Sequence, residues 1–250
     1  MKPSIALEDR IIFALDVDSP DEARRWLDRL GTHVRFYKLG LQLFLAGGLG
    51  LIEEMAQRGH KVMVDLKLFD IDKTVELAVR ELAKHPVTYA TVHGPESIVR
   101  AAVAARGAMR ILAVTVLTSF DRHDLEDLGL PGVEVEQLVL SRAKRAMLAG
   151  CDGVVASGLE VARMRQQVGD GFLIVTPGIR PGSFADRDGG DEQKRVSTAR
   201  AAILAGADHV VVGRPIKNAT DPLAVVAKLQ EEISAGLQEQ GLSTFKNILK

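Results

Sequence analysis

The chain has a single cysteine, Cys151, so no disulfide can form within it. A lone thiol fits a reducing compartment. An excess of either charge is also missing: 32 Lys and Arg stand against 33 Asp and Glu, a formal net charge of −1. That balance argues against a nucleic-acid or membrane surface built on bulk electrostatics. No stretch approaches the roughly 20 uncharged apolar residues that a membrane span requires. The opening "MKPSIALEDR" has no apolar core of signal-peptide length. These absences give the expectation of a cytoplasmic protein. No Gly-rich dinucleotide fingerprint follows the first apolar run, where "LDVDSPDEA" stands instead. No low-complexity segment or linker divides the 250 residues, and no second histidine lies at metal-site spacing from His93.

What is present is an alternation. Hydrophobic residues make up 46% of the chain and charged residues 26%, a globular balance. Eight short apolar, β-branched runs recur: 10–17, 36–40, 61–67, 89–94, 110–118, 153–157, 172–178 and 209–213. Amphipathic stretches rich in Ala, Leu, Arg and Glu fall between them. "SPDEARRWLDRLG" has Ser19 as an N-cap and Pro20 in the first turn. "VEQLVLSRAKRAMLAG" ends in Gly150, placed to stop a helix. Strands that are apolar throughout, alternating with helices, imply a parallel sheet covered by helices. Eight such units suit an α/β fold of the (β/α)8 TIM-barrel type, one domain over residues 1–250. A doubly wound open sheet is the competing architecture. The one long irregular stretch, residues 177–195, has the length of a binding loop or lid.

In a barrel, function gathers at the C-terminal ends of the strands. Those ends carry Asp16, Lys38, Asp65, Lys67, His93, Thr118, Ser119, Ser157, Arg180, Gly213 and Arg214. Any one of them is an ordinary polar residue meeting water, but the set is unusual. In "KVMVDLKLFD", residues 61–70, a strand otherwise fit for burial ends in Asp65, Lys67 and Asp70. Buried charges without partners are costly. Asp65 and Lys67 lie two apart and so project to one face. Asp16 and Lys38 end neighbouring strands, which brings opposite charges together. Gly213, Arg214 and Arg180 suggest a phosphate site, since loops after the last two barrel strands often form one and Arg matches phosphate bidentately.

The segment "VDLKLFDIDKTV" resembles the Asp-x-Lys-x-x-Asp-Ile-x-x-Thr signature of the orotidine 5′-phosphate decarboxylase family. "ALDVD", "FYKLG", "VTVLTS", "TPGIRP", "DEQKRV" and "VVGRPI" follow in the family's order, so the resemblance covers the whole chain. It implies cofactor-free decarboxylation of orotidine 5′-phosphate to uridine 5′-phosphate, with no metal. Lys67 is then similar to the proton donor to C6, with Asp65 and Asp70 the carboxylates around it and Lys38 extending the charge network. Asp70 and Thr74 are expected to reach the site of the other subunit in a homodimer, with Ile71 between them in the substrate-binding set. Asp16 and Lys38 match ribose contacts and Thr118 a pyrimidine contact. Arg180, Gln193, Gly213 and Arg214 match the lid and phosphate set. The chain departs from the family pattern at Phe69, commonly His, and at Asp72-Lys73, commonly Pro-Asn.

The implied chemistry has a physical need for these residue types. Loss of CO2 from C6 leaves an electron pair that the pyrimidine ring delocalises poorly. Opposite unit charges at roughly 4 Å attract by about 4 kcal/mol at an effective dielectric near 20. A lysine there can stabilise the developing charge and then supply the proton. A Schiff-base aldolase needs a neutral amine, which adjacent carboxylates disfavour. Mg2+ held by Asp16 and Asp65 in a phosphosugar decarboxylase or synthase is a second alternative. A non-catalytic phosphate-binding barrel is a third.

Overall fold

The computed structural model describes residues 5–182 and 195–248, with side chains as far as Gly241. Among these residues eight parallel strands pair in chain order and close into a barrel. They are β1 (Ile11–Ala14), β2 (Phe36–Gly40), β3 (Lys61–Leu68), β4 (Tyr89–His93), β5 (Arg110–Val114), β6 (Gly153–Val155), β7 (Leu173–Thr176) and β8 (His209–Val212). Closure runs through β8 and β1, with Val211 opposite Ile12, which rules out the open sheet. The principal helices that follow the strands are α1 (Pro20–Leu30), α2 (Leu49–Gln57), α3 (Asp72–Leu82), α4 (Glu96–Ala105), α5 (Val135–Leu148), α6 (Val161–Val168), α7 (Ala199–Leu204) and α8 (Pro222–Ile248), with shorter helical turns between some of them. None of the described helices is long and apolar enough to cross a membrane.

The strands are apolar throughout because both their faces are dry. Ile12, Phe36, Met63, Tyr89, Leu112, Leu173 and Val211 pack together inside the barrel. Their neighbours Ile11, Phe13, Tyr37, Val62, Ala90, Ile111 and Ile174 join a larger cluster under the helices. The alternation is the period of two of a pleated strand. It also sets which side chains point inward further along: Lys38 shares the parity of Phe36, and Asp65 that of Met63.

Local chemistry fixes the helix ends. Ser19 Oγ accepts the Glu22 N–H at 3.3 Å and Pro20 opens α1. Gly150, just past α5, takes φ 82°, a conformation that favours glycine. Strand ladders end earlier than the apolar runs suggest. β1 stops at Ala14 and β5 at Val114, so Asp16 and Thr118 stand on the loops just beyond.

Candidate active site

β3 carries the irregularity that builds the site. Its ladder with β4 pairs Val64 with Ala90 and resumes only where Leu68 meets Val92. Asp65, Leu66 and Lys67 therefore face Thr91 alone, a bulge with two extra residues on β3. Lys67 takes φ 49°, the one left-handed backbone among the described non-glycine residues. Such a conformation costs about 1–3 kcal/mol and lasts only where its surroundings impose it. Here the Lys67 N–H donates to Thr91 Oγ1 at 2.9 Å. The Thr91 hydroxyl in turn donates to Asp65 Oδ1 at 2.8 Å, and Lys67 Nζ donates to Asp65 Oδ2 at 3.0 Å. Asp65 and Lys67 do meet, as their spacing predicts, but a bulge brings them together and not a plain pleat.

Lys38 extends the contact across two more strands. Its Nζ lies 3.2 Å from Asp16 Oδ1 and 3.5 Å from Asp65 Oδ2. The pairing of Ala14 with Lys38 and of Gly40 with Asp65 aligns the three strand ends. A Cβ on Gly40 would stand 3.3 Å from both Asp16 Oδ1 and Lys38 Nζ, so glycine leaves room for the ion pair. The charges alternate along the line Asp16, Lys38, Asp65, Lys67. The inner pair is buried, with the Lys38 and Asp65 side chains each 12% exposed. Burial works against the Asp65 carboxylate. The Lys38 and Lys67 cations, with hydrogen bonds from Lys67 and Thr91, outweigh it and hold its pKa below the usual carboxylate range. Burial likewise opposes the Lys38 ammonium, and Asp65 and Asp16 overcome it, raising its pKa.

These charges line a cavity of about 640 Å³. Ala14, Met63, Val114, Val155 and Val211 give it an apolar floor, and Thr118 and Ser119 stand at its edge. Pro177, Gly178, Arg180, Gly213 and Arg214 complete the lining. The two ends of the 177–195 segment are tied together at this rim. Ile179 bridges Ser197, and the Arg180 N–H donates to the Ser197 carbonyl at 2.9 Å. Arg195 donates to Glu160 Oε1 at 2.5 Å and to the Leu117 carbonyl at 3.1 Å, anchoring the segment beside Thr118.

The remaining candidates stand apart. Asp70 is exposed, and its Oδ1 accepts the Ile71 N–H at 2.6 Å. Ile71 is 70% exposed, and Thr74 is exposed on α3. None of the three lines the cavity of its own chain. Gln193 lies outside the described residues. His93 meets the Phe69 ring edge-on, centroids 5.7 Å apart, and lines a separate pocket of about 350 Å³ with Arg142 and Arg145. Ser157 Oγ accepts the Leu159 N–H at 3.3 Å, so neither His93 nor Ser157 belongs to the charged site. Asp72 and Lys73 form an exposed start to α3, Asp72 Oδ1 accepting the Lys73 N–H at 2.8 Å. Thr91, which joins Asp65 to Lys67, is not among the residues that the strand ends single out. Its signal was a threonine of inward parity on β4, two residues after Tyr89.

Residues 9–229 match the profile of the orotidine 5′-phosphate decarboxylase / HUMPS family. The chain belongs to that family. A relative from Methylococcus capsulatus, named orotidine 5′-phosphate decarboxylase, is 47% identical over 230 residues, covering 92% of this chain and 93% of its own. One of the same name from Xanthomonas euvesicatoria pv. vesicatoria is 47% identical over 240 residues, 95% of this chain and 97% of its own. Among solved structures, orotidine 5′-phosphate decarboxylase from Lactobacillus acidophilus superposes with a TM-score of 0.79 at 35% identity. That match covers 90% of this chain and 99% of the other.

Proposed function

We propose that this protein decarboxylates orotidine 5′-phosphate to uridine 5′-phosphate and CO2 in de novo pyrimidine biosynthesis. The observation that carries the reading is Lys67, held by Asp65 at the wall of a nucleotide-sized cavity that also contains two arginines. The bond from C6 to the carboxylate breaks, its electron pair stays on C6, and CO2 leaves. Lys67 Nζ gives a proton to that carbon. The fixed ammonium faces the developing charge before reaction begins, so little reorganisation is needed. Asp16 and Lys38 are assigned to the ribose, Thr118 to the pyrimidine, and Arg180, Gln193, Gly213 and Arg214 to the phosphate and its covering loop. Binding energy from that remote phosphate can be used to orient the base.

Lys38 Nζ lies between the Asp16 and Asp65 carboxylates. This is the space a divalent cation would claim in a metal-dependent phosphosugar enzyme, and its occupation favours the decarboxylase reading.

The same reading makes the protein a cytoplasmic homodimer with shared active sites, Asp70, Ile71 and Thr74 of each copy serving the other. Support comes from exposed apolar residues in the segments that follow the neighbouring strands β2 and β3. Phe69 is 65% exposed, Ile71 70%, Leu41 58% and Leu45 81%. Exposed apolar surface of this kind marks a contact site.

Turnover of orotidine 5′-phosphate, followed by the absorbance change of the pyrimidine, tests the proposal. Lys67→Ala is expected to lower kcat by about 10³-fold or more. Nucleotide binding without decarboxylation by the wild-type protein rejects it.

A further inference from the structure

We propose that Thr91 is a positioning residue, whose single hydroxyl grips the Lys67 main chain and the Asp65 carboxylate together and so aims the lysine into the cavity. The inference rests on the decarboxylase reading of the site.

Where β3 bulges, the β4 main chain cannot pair evenly with Asp65, Leu66 and Lys67. A buried N–H needs a partner. The Lys67 N–H finds one in a side chain, Thr91 Oγ1, at 2.9 Å. The same oxygen uses its own hydrogen on Asp65 Oδ1, at 2.8 Å. One atom thus accepts from the residue that carries the ammonium and donates to the residue that orients it. Thr91 is 1% exposed and does not line the cavity, so it acts through its neighbours and not on a ligand. Its β-branched side chain has few rotamers, which suits a fixed contact. Lys67 has the only left-handed φ among the described non-glycine residues. Its side-chain contact to Asp65 is anchored through the same threonine. Without the hydroxyl, the bulge keeps neither its N–H partner nor its link to Asp65. Misplacement of a catalytic group by about 1 Å can cost 10²-fold in rate.

A pH readout separates positioning from simple packing. The groups facing Asp65 are Lys38 from β2, Lys67 from β3 and Thr91 from β4. Asp16 acts from beyond β1 through Lys38, and His93 stands near Lys67. The Thr91 hydrogen bond favours the charged carboxylate. Its loss raises the pH at which Asp65 takes up a proton.

The experiment compares wild type, Thr91→Val and Thr91→Ser. Thr91→Val keeps shape and loses the hydroxyl; Thr91→Ser keeps the hydroxyl. Thr91→Val is expected to lower kcat by about 10- to 100-fold with KM nearly unchanged. The acid limb of its kcat profile should move to higher pH. Thr91→Ser should return to within about threefold of wild type with the wild-type limb. Wild-type kcat in Thr91→Val, equal losses in Val and Ser, or a loss confined to KM would each overturn the inference. Crystal structures of wild type and Thr91→Val give a test that does not depend on the reaction. Lys67 should leave the left-handed region in the variant, and an unchanged Lys67 overturns the inference. If Thr91→Val proves too unstable to purify, Thr91→Ala takes its place in both comparisons, with the same expected results. If the wild-type protein fails to decarboxylate orotidine 5′-phosphate, the functional reading falls, while the two structures still decide the role of Thr91.

Discussion

Lys38 and Asp65 lie so close and so deep that neither can lose its partner cheaply. Lys38→Met removes the only cation between two carboxylates and leaves Asp65, 12% exposed, leaning on Lys67. Because Asp65 keeps Lys67 and Thr91, the cost stays below that of a wholly unpaired buried charge, at about 1–3 kcal/mol. A chemical denaturation midpoint should fall accordingly, and a loss under about 1 kcal/mol contradicts the described network. Arg214 presents a different case, because its proposed partner is a ligand. A hydrogen-bonded charge pair contributes about 1.5–3 kcal/mol. Arg214→Ala should therefore raise KM by roughly 10- to 100-fold. An unchanged KM removes Arg214 from the phosphate site.

These residues differ in how plainly the sequence announced them. Asp16, Lys38 and Asp65 end neighbouring apolar runs with alternating charge, and parallel pairing alone brings them together. Thr91 gave no such signal. Threonine is common in strands for its shape, and its importance arises from a bulge on another strand.

At the scale of the element, the eight strands were legible because a barrel strand has two dry faces and so reads as a nearly continuous apolar run. Helix α1 was legible through its cap. Ser19→Ala removes the acceptor of the Glu22 N–H and should cost about 1 kcal/mol by thermal or chemical unfolding. The bulge in β3 was not legible, since "VDLKLF" reads as an ordinary strand until it is laid against β4. The apolar runs of β1 and β5 also extend past the strands, which end at Ala14 and Val114. Past β1, Leu15 and Val17 pack under the helices, and past β5, Val116 and Leu117 reach the cavity wall, so both runs stay apolar after the strand has ended.

For the molecule as a whole, two predictions concern assembly and pH. If Asp70 serves the partner's site, Lys67→Ala and Asp70→Ala subunits mixed under exchange should regain activity. In each hybrid, one site receives both wild-type residues. No regain speaks against shared sites. The pH response of stability separates the active site from the base of the barrel. The depressed Asp65 contributes in full above its unfolded value, about 3.9, and loses that contribution as pH falls through its lower folded value. The raised Lys38 contributes in full below about 10.4 and loses it as pH rises through its higher folded value. Between those limits the pair gives a flat response. His209 is 2% exposed, bonded to Tyr89 and to the Asp9 carbonyl, and burial lowers its pKa from 6.5 to about 4. The unfolded chain takes up that proton first, so stability falls as pH drops from 6.5 towards 4, by roughly 3 kcal/mol. His60 and His93, also lowered mainly by burial, add with the same sign. His209→Gln should flatten the acid slope of Tm against pH, and an unaltered slope removes His209 as its source.

The two surplus residues of β3 have one more consequence. Val64 and Leu68 both keep partners on β4, so the barrel wall is continuous on either side of the irregularity. Shortening β3 by two residues between them would let the wall run evenly, with every neighbouring main-chain group paired. What vanishes is the kinked backbone at Lys67 and the excursion that carries its ammonium beside Asp65. The container and the reagent are thus written in different letters of the same strand. A lineage could lose the reaction through one small in-frame deletion and still inherit the vessel, ready for another chemistry at the same rim.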